Sequence, residues 1–346
     1  MSAEHLQSLE SLRSALLAFF DREQRDLPWR QSRDPYPIWI SEVMLQQTQV
    51  ATVLPYYRAF LAAFPRVETL AAAPLEEVLA SWSGLGYYRR ARQLHQAAAA
   101  IVAAGAFPVD AAGWQKLPGI GPYTAAAIAS QALGEVVPVL DGNVERVLSR
   151  CLAAAEDPKR RSFRAVLLAA AARLLDPRRP GDSNQALMEL GATVCKPRQP
   201  LCLLCPLAAG CRGKNSPELY PAARPARQKE LIELSLLVVR RGEEVLFFRR
   251  PADAPYLASM WELPNFAGKG EAAAAELSRV YGGRFELGRE LGRFRHAITY
   301  RRLVVKVQAA DFYGQAKREL CWADPPGRAG LGLSSMFEKA LALPTA

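Results

Sequence analysis

The sequence predicts a two-part chain, an all-α region over residues 1–213 followed by a smaller α+β domain over residues 230–346. Three observations carry that division. Apolar residues recur at helical spacing, in Ala-rich segments punctuated by Pro and Gly, as far as a cysteine cluster at 195–211. Residues 214–229, KNSPELYPAARPARQK, then hold three prolines and several charges without periodicity, the composition of a linker. Beyond it the texture turns β-branched and aromatic, with Gly-containing turns.

In chain order, LESLRSALLAFFDRE reads as a helix and DLPWRQSRDPYP as a loop broken by Pro28, Pro35 and Pro37. WISEVMLQQTQV, Trp39 to Val50, has helical rhythm, with Trp39, Val43 and Val50 near one face. Its single charge is Glu42. A solvated helix position is where most Glu residues end up. The alternative is a carboxyl in a semi-apolar pocket that stays protonated and acts as an acid. Further helices are predicted at PLEEVLASWSG, ARQLHQAAAAIVAAG, PYTAAAIASQALG, NVERVLSRCLAA and SFRAVLLAAAARLL. In the second domain LIELSLLVVRR, EEVLFFRRP and RLVVKVQAADF read as strands, and GEAAAAELSRVYGG as a helix. No internal repeat is present.

Half of the residues are apolar, enough for a sizeable core, yet no apolar run is long enough to span a bilayer. The opening MSAEHLQSLESLR lacks the basic and apolar regions of a signal peptide, so a soluble, intracellular protein is expected. A net charge of +10 favours a polyanionic partner, nucleic acid first, because neutralising phosphates releases counterions. Scattered Arg residues from compositional bias would give the same count. Of six cysteines, four follow the spacing Cys195-x6-Cys202-x2-Cys205-x5-Cys211. In a reducing cytosol such a cluster reads as metal ligands. One close pair with two outliers leans to an iron–sulfur cluster and leaves zinc open. Cys151 and Cys321 read as core or partly buried thiols.

Two more stretches carry chemistry. In LPGIGPYTAAAIAS, Gly119 and Gly121 open an Ala-rich helix, where backbone N–H groups can approach a phosphate; a plain turn between helices would look the same. The apolar helix end at Trp114 and Leu117 makes the stretch a helix–hairpin–helix, a clamp on nucleic-acid backbone. In EVVPVLDGNVERVLSRC, Asp141 precedes a helix and reads either as its N-cap or as a charged site residue, and Asn143 as a cap or a turn residue. A carboxylate facing Glu42 would set an acid and an anion around one reactive carbon.

In this order LPWR, WISEVMLQQTQV, SGLGYYRRAR, LPGIGPYTAAAI and VLDGNVERVLSR resemble the MutY-type adenine DNA glycosylases, part of the helix–hairpin–helix endonuclease III superfamily. The likeness runs from about residue 6 to 212. It implies a monomeric, nucleoid-associated base excision repair enzyme without membrane contact. Its substrate would be double-stranded DNA in which adenine is mispaired with 8-oxoguanine or guanine. By the same resemblance Glu42 protonates adenine N7, Asp141 stabilises the oxocarbenium-like sugar, Asn143 orients the reacting groups and Tyr123 supports the sugar and Asp141. Arg30 and Trp29 belong to the adenine pocket, Gln47 and Tyr87 are wedges, Thr48 and Leu85 lie beside 8-oxoguanine, and Gly119 and Gly121 hold the backbone. Bifunctional relatives carry a lysine at the position of Tyr123, so a glycosylase with little or no lyase activity is implied. The cysteines Cys195, Cys202, Cys205 and Cys211 match the family's [4Fe-4S] loop, which braces a basic segment with Lys196, Arg198 and Arg212.

The second domain resembles the family's Nudix-like recognition domain through EVLFFRRPADAPYLASMWELPNF. A catalytic Nudix helix is dense in carboxylates, whereas GKGEAAAAELSRVYGG has only Glu271 and Glu276, so a binding module is expected and pyrophosphatase activity is not. Many family members carry Phe-Ser-His beside 8-oxoguanine. Here Ile298, Thr299 and Tyr300 stand at those positions. The rival readings are an endonuclease III-like or thymine-mismatch glycosylase, and a catalytically silent DNA-binding relative. The second domain and LQQTQ speak against the first, and the pair Glu42 and Asp141 against the second.

Overall fold

The computed structural model describes residues 9–222, 229–267, 272–298 and 301–344. The chain packs as two units, one formed by Met1–Gln49 with Gln96–Pro225 and the other by Val50–His95 with Ala226–Ala346. The second unit therefore includes part of the helical region, where composition places a single division at 214–229. Among the described residues no helix is long and apolar enough to cross a membrane.

The first unit contains α1 (Arg13–Glu23) and α2 (Pro35–Leu45), part of α6 (Arg89–Ala104), and α7 (Ala111–Gln115) and α8 (Pro122–Ile128). It also contains α9 (Gly142–Cys151), α10 (Arg161–Leu174) and α11 (Pro180–Thr193). In α9, Val144, Val147, Leu148 and Cys151 recur at helical spacing and are buried together with Leu16 and Phe20 of α1, Leu167 of α10 and Leu187 and Leu190 of α11. Each such side chain contributes about 1.5–3 kcal/mol on burial. The packing fixes α9 and α11 as the floor on which the polar residues stand.

Trp39–Val50 is not one helix. The chain leaves α2 after Leu45, Gln47 takes a left-handed φ of 59°, and a new helix starts at Val50. Gln47 and Thr48 thus lie in a turn, where the apolar rhythm alone had continued the helix. The start of the expected linker is also anchored. A 3-10 turn at Pro217–Leu219 is held by Arg150, whose Nε donates to the carbonyl oxygens of Pro217 (2.8 Å) and Tyr220 (3.2 Å).

The second unit holds α3 (Val50–Ala63), α4 (Val67–Ala72), α5 (Leu75–Ser81) and the start of α6, with an α+β layer built on a mixed sheet. Strand β1 (Glu230–Arg241) runs parallel to β6 (Arg301–Ala316), from Glu230 opposite Arg301 to Val239 opposite Ala310. On β6 lies antiparallel β5 (Gly282–Ile298). On the other side β2 (Glu244–Arg249) pairs with β1, β3 (Trp261–Glu262) and β7 (Leu320–Ala323), while β4 (Asn265–Ala267) pairs with β1. In β1, Leu236 and Val238 face one apolar layer with Phe247, Val305 and Phe337. Leu237 and Val239 face the other, with Phe248, Phe285 and Tyr281 of α12 (Ala272–Tyr281). A strand covered on both faces explains the unbroken run LLVV, and period two sorts its residues between the layers. After β7 come α13 (Pro325–Arg328) and α14 (Ser335–Leu341). The expected class, an all-α region plus an α+β domain, is what the chain adopts.

Candidate active site

α2 starts at Pro35 after Asp34, whose carboxylate accepts from the Tyr36 amide at 2.9 Å. Seven consecutive residues from Ile38 to Met44 are buried, so the helix has no solvated face for Glu42, which is 5% exposed. That removes the solvated reading. Glu42 Oε2 accepts from the Tyr123 hydroxyl at 3.0 Å and Oε1 from Gln131 Nε2 at 3.0 Å. Tyr123 stands in the first turn of α8, and its hydroxyl also lies 3.3 Å from Met188 Sδ.

Gln131 sits in a π-helical turn, Ala129–Leu133, that extends α8. Such turns carry an extra residue and recur at functional sites. Asn184, fully buried on α11, pins this turn by donating to Ser130 Oγ and to the Val137 carbonyl, both at 2.9 Å. Its own oxygen accepts from the Val139 amide at 3.1 Å, which fixes the segment leading to Asp141.

Asp141 is the N-cap of α9. Its Oδ1 caps α9 by accepting from the Val144 amide at 2.7 Å, and its Oδ2 accepts from Asn143 Nδ2 at 3.2 Å. The Asn143 oxygen accepts in turn from Arg146 Nη2 at 3.0 Å, and Arg146 also reaches the carbonyl oxygens of Gly191 (2.8 Å) and Cys195 (2.9 Å). A relay thus runs from the cysteine loop to Asp141. It needs α11 close to α9, because a Cβ on Gly191 would stand 2.6 Å from the Asn143 Cβ. Gly191→Ala is expected to displace Asn143 and lower thermal stability by about 1–3 kcal/mol, measured by calorimetry.

Burial acts in the same direction on the two carboxyls. Burial raises the Glu42 pKa, the Asp141 charge adds to this, and the bonds from Gln131 and Tyr123 and the charge of Arg30 oppose it. Burial also raises the pKa of Asp141, against donors from Val144 and Asn143 and the charge of Arg146. Asp141 has backbone donors and a helix N-terminus, whereas Glu42 has two neutral side-chain donors. Burial and the two carboxylate charges push Tyr123 well above the usual phenol range, so it stays a neutral donor.

Arg30 and Trp29 line a cleft of about 130 Å³ together with Gln131, Gln185, Arg179 and Asp182. Arg30 Nη2 pairs with Glu189 Oε2 at 2.8 Å, and its Nε donates to Gln185 Oε1 at 2.5 Å. Glu189 is 1% exposed and also takes two bonds from the Arg25 guanidinium, at 2.7 and 2.9 Å. Burial would raise its pKa, but the two guanidinium groups more than offset this and hold it below the usual carboxylate range.

The structure thus brings Glu42, Tyr123, Asp141 and Asn143 together, with Arg30 and Trp29 on the cleft that Gln131 shares. Sequence reasoning missed Gln131, Gln185 and Glu189. The available signal was a polar residue on the buried face of an otherwise apolar helix. Gln47 is exposed and Thr48 half-buried in the turn after α2. Gly119, at φ 77°, and Gly121 form the exposed hairpin between α7 and α8. In the second unit Tyr87 is exposed, but Leu85 is buried at 5%. Thr299 and Tyr300 lie outside the described residues.

Cys195, Cys202, Cys205 and Cys211 line one pocket with Arg150, Lys214 and the buried Cys151. Among the described residues no three His, Cys, Asp or Glu side chains come close enough to grip a single metal ion. Arg150 Nη1 lies 3.3 Å from Cys195 Sγ, a cation beside a residue whose thiolate is a potential cluster ligand.

A sequence profile described as "HhH-GPD superfamily base excision DNA repair protein" matches residues 40–171, which include Glu42, the hairpin and Asp141. The adenine DNA glycosylase of Homo sapiens is 48% identical over 219 residues, 60% of this chain and 40% of its own length. That of Schizosaccharomyces pombe (strain 972 / ATCC 24843) is 33% identical over 320 residues, 74% of this chain and 69% of its own. The chain belongs to the adenine DNA glycosylase family. It nevertheless spans less than half the length of its human relative in that family. A thermostable thymine-DNA glycosylase of known structure superposes with a TM-score of 0.56 at 28% identity, over 62% of this chain and 99% of that one. The expected family is borne out.

Proposed function

We propose that the chain removes adenine mispaired with 8-oxoguanine or guanine, by acid-assisted hydrolysis of the N-glycosidic bond, in base excision repair. The observation that carries this is the buried Glu42, bonded to Tyr123 and Gln131 and sharing its surroundings with Asp141. Adenine leaves poorly as an anion. A protonated Glu42 supplies a proton to N7 as the bond breaks, and the ionised Asp141 stabilises the oxocarbenium-like sugar in a site screened from water. Asn143 holds the Asp141 carboxylate, and the neutral Tyr123 orients Glu42. With a phenol at position 123 there is no amine to form a Schiff base, so the enzyme is monofunctional.

The adenine reaches this site flipped out of the duplex, into the cleft of Trp29 and Arg30. Gly119 and Gly121 take the DNA backbone, while Gln47 and Tyr87 fill the gap, with Thr48 and Leu85 toward the opposite base. Thr299 and Tyr300 belong to lesion recognition in a module that begins near residue 230. Cys195, Cys202, Cys205 and Cys211 hold a [4Fe-4S] cluster. When bound, the cluster would brace the loop bearing Lys196, Arg198 and Arg212 against DNA rather than act in hydrolysis. The enzyme acts as a monomer on the DNA of the nucleoid.

Single-turnover assay on an A:8-oxoguanine duplex tests this. Release of adenine with strand breaks only after alkali is expected. Breaks without alkali would overturn the monofunctional assignment, and no adenine release would overturn the activity.

A further inference from the structure

The turn Ser83–Tyr88 joins α5 to α6, and its backbone is unusual. Gly84 (φ 94°), Gly86 (φ 71°) and Tyr87 (φ 49°) all lie in the left-handed region. An Ala at Gly84 would strain this φ and push aside the tip of Tyr56, whose hydroxyl would lie 2.1 Å from the new Cβ. Non-glycine residues seldom hold such a φ unless their surroundings over-determine it. Locally, Trp82 Nε1 donates to the Gly86 carbonyl at 3.1 Å, and the Arg90 guanidinium lies over the rings of Trp82 and Tyr87 at 5.3 and 5.4 Å.

The remaining restraints come from far along the chain, in the same packed unit. Ser83 Oγ donates to the Leu333 carbonyl at 2.6 Å, and the buried Tyr88 hydroxyl donates to the same oxygen at 2.9 Å. The Tyr88 oxygen accepts from the Gly84 amide at 3.1 Å. One carbonyl, whose two lone pairs suit two donors, thus fixes both ends of the turn. That carbonyl is itself rigid. Leu333 is buried in the apolar layer with Phe337, and the preceding Gly332 carbonyl accepts from the Trp261 amide at 3.2 Å. Arg92 Nη1, donating to the Ala258 carbonyl at 2.7 Å, and an Arg249–Glu76 ion pair tie the same helices to the same layer.

We propose that the C-terminal α+β layer, through the Leu333 carbonyl, sets the shape of the Ser83–Tyr88 turn, making Ser83 and Tyr88 positioning residues for the exposed Tyr87. This rests on the proposed function, in which Tyr87 enters the duplex opposite the excised adenine. The layer then does more than read a lesion. It also pre-forms an element of the helical region, so that binding DNA does not have to pay for ordering the turn.

The test uses the full chain with Tyr88→Phe, Ser83→Ala, the double variant and Ser83→Thr. Phe keeps the ring and Thr keeps the hydroxyl. Amide exchange of Gly84 and Leu85 is expected to speed up about fivefold in Tyr88→Phe and more in the double variant. The Kd for an A:8-oxoguanine duplex, by anisotropy, should weaken about tenfold in the double variant. The single-turnover rate at saturating enzyme should stay within about twofold of wild type, with Ser83→Thr restoring both exchange and Kd. Unchanged exchange would overturn the restraint, and faster exchange with unchanged Kd would overturn its role in DNA binding. Failure of the proposed activity would show separately, as a wild-type chain that releases no adenine.

Discussion

Glu42→Gln is expected to lower the single-turnover rate of adenine release by about a thousandfold or more while leaving duplex affinity in place. Gln has nearly the shape of Glu and can keep the local network. Its oxygen accepts from Gln131, and its amide can donate to the Tyr123 oxygen, leaving that hydroxyl for Met188. What is lost is the transferable proton. A variant as fast as wild type would mean that another group is the acid. Thermal stability should move the opposite way. The folded-state pKa of Glu42 is raised, so its contribution is most favourable below the unfolded pKa and is lost as pH rises through the folded one. Gln carries no such burden, so the variant should melt higher than wild type at neutral pH, with the difference shrinking toward acid pH. A loss of activity accompanied by a gain of stability would separate a catalytic carboxyl from a structural one.

The same pair predicts the pH profile. The proposed mechanism needs Asp141 ionised and Glu42 protonated, which gives a bell. The acid limb, where rate rises with pH, belongs to the ionisation of Asp141. The alkaline limb, where rate falls, belongs to the loss of the Glu42 proton. Both groups are raised by burial, so each limb should lie above the ordinary carboxylate value of its residue.

Much of this site was legible in the sequence because each of its parts has a local signature. Asp141 before an amphipathic helix announced a cap, and the glycines at 119 and 121 announced a hairpin. A lone carboxylate in an apolar stretch posed the right question at Glu42. What was not legible depended on long-range packing. Periodicity states which face of a helix is buried but not against what, so the grouping of Val50–His95 with the C-terminal residues left no trace in composition. The break at Gln47 was hidden because an apolar rhythm does not register a single left-handed residue. Gln131 read as one more helix residue, since nothing local marks a π-turn. Glu189 became visible only when Arg25 and Arg30, far away in sequence, were seen to converge on it.

Asp141→Asn separates capping from charge. Asn caps helices about as well as Asp, and its oxygen can take over the bond from the Val144 amide that Asp141 Oδ1 now accepts at 2.7 Å. Its amide then faces Asn143 Nδ2, donor against donor, and Asn143 cannot turn over without losing Arg146. That mismatch costs about 1 kcal/mol, against which the variant no longer buries a carboxylate. The melting temperature should therefore change by only a few degrees. The rate should not be spared. An oxocarbenium-like sugar gains its stabilisation from a full negative charge in a site where solvent does not screen it, and a neutral amide dipole supplies a small part of that. Adenine release in single turnover should fall by about a thousandfold, and the acid limb of any residual activity should disappear, because the group that titrated there is gone. If the variant retained near-wild-type activity with its acid limb intact, Asp141 would be a cap alone, and the anion that faces the sugar would have to be sought elsewhere in the buried cluster around Glu42.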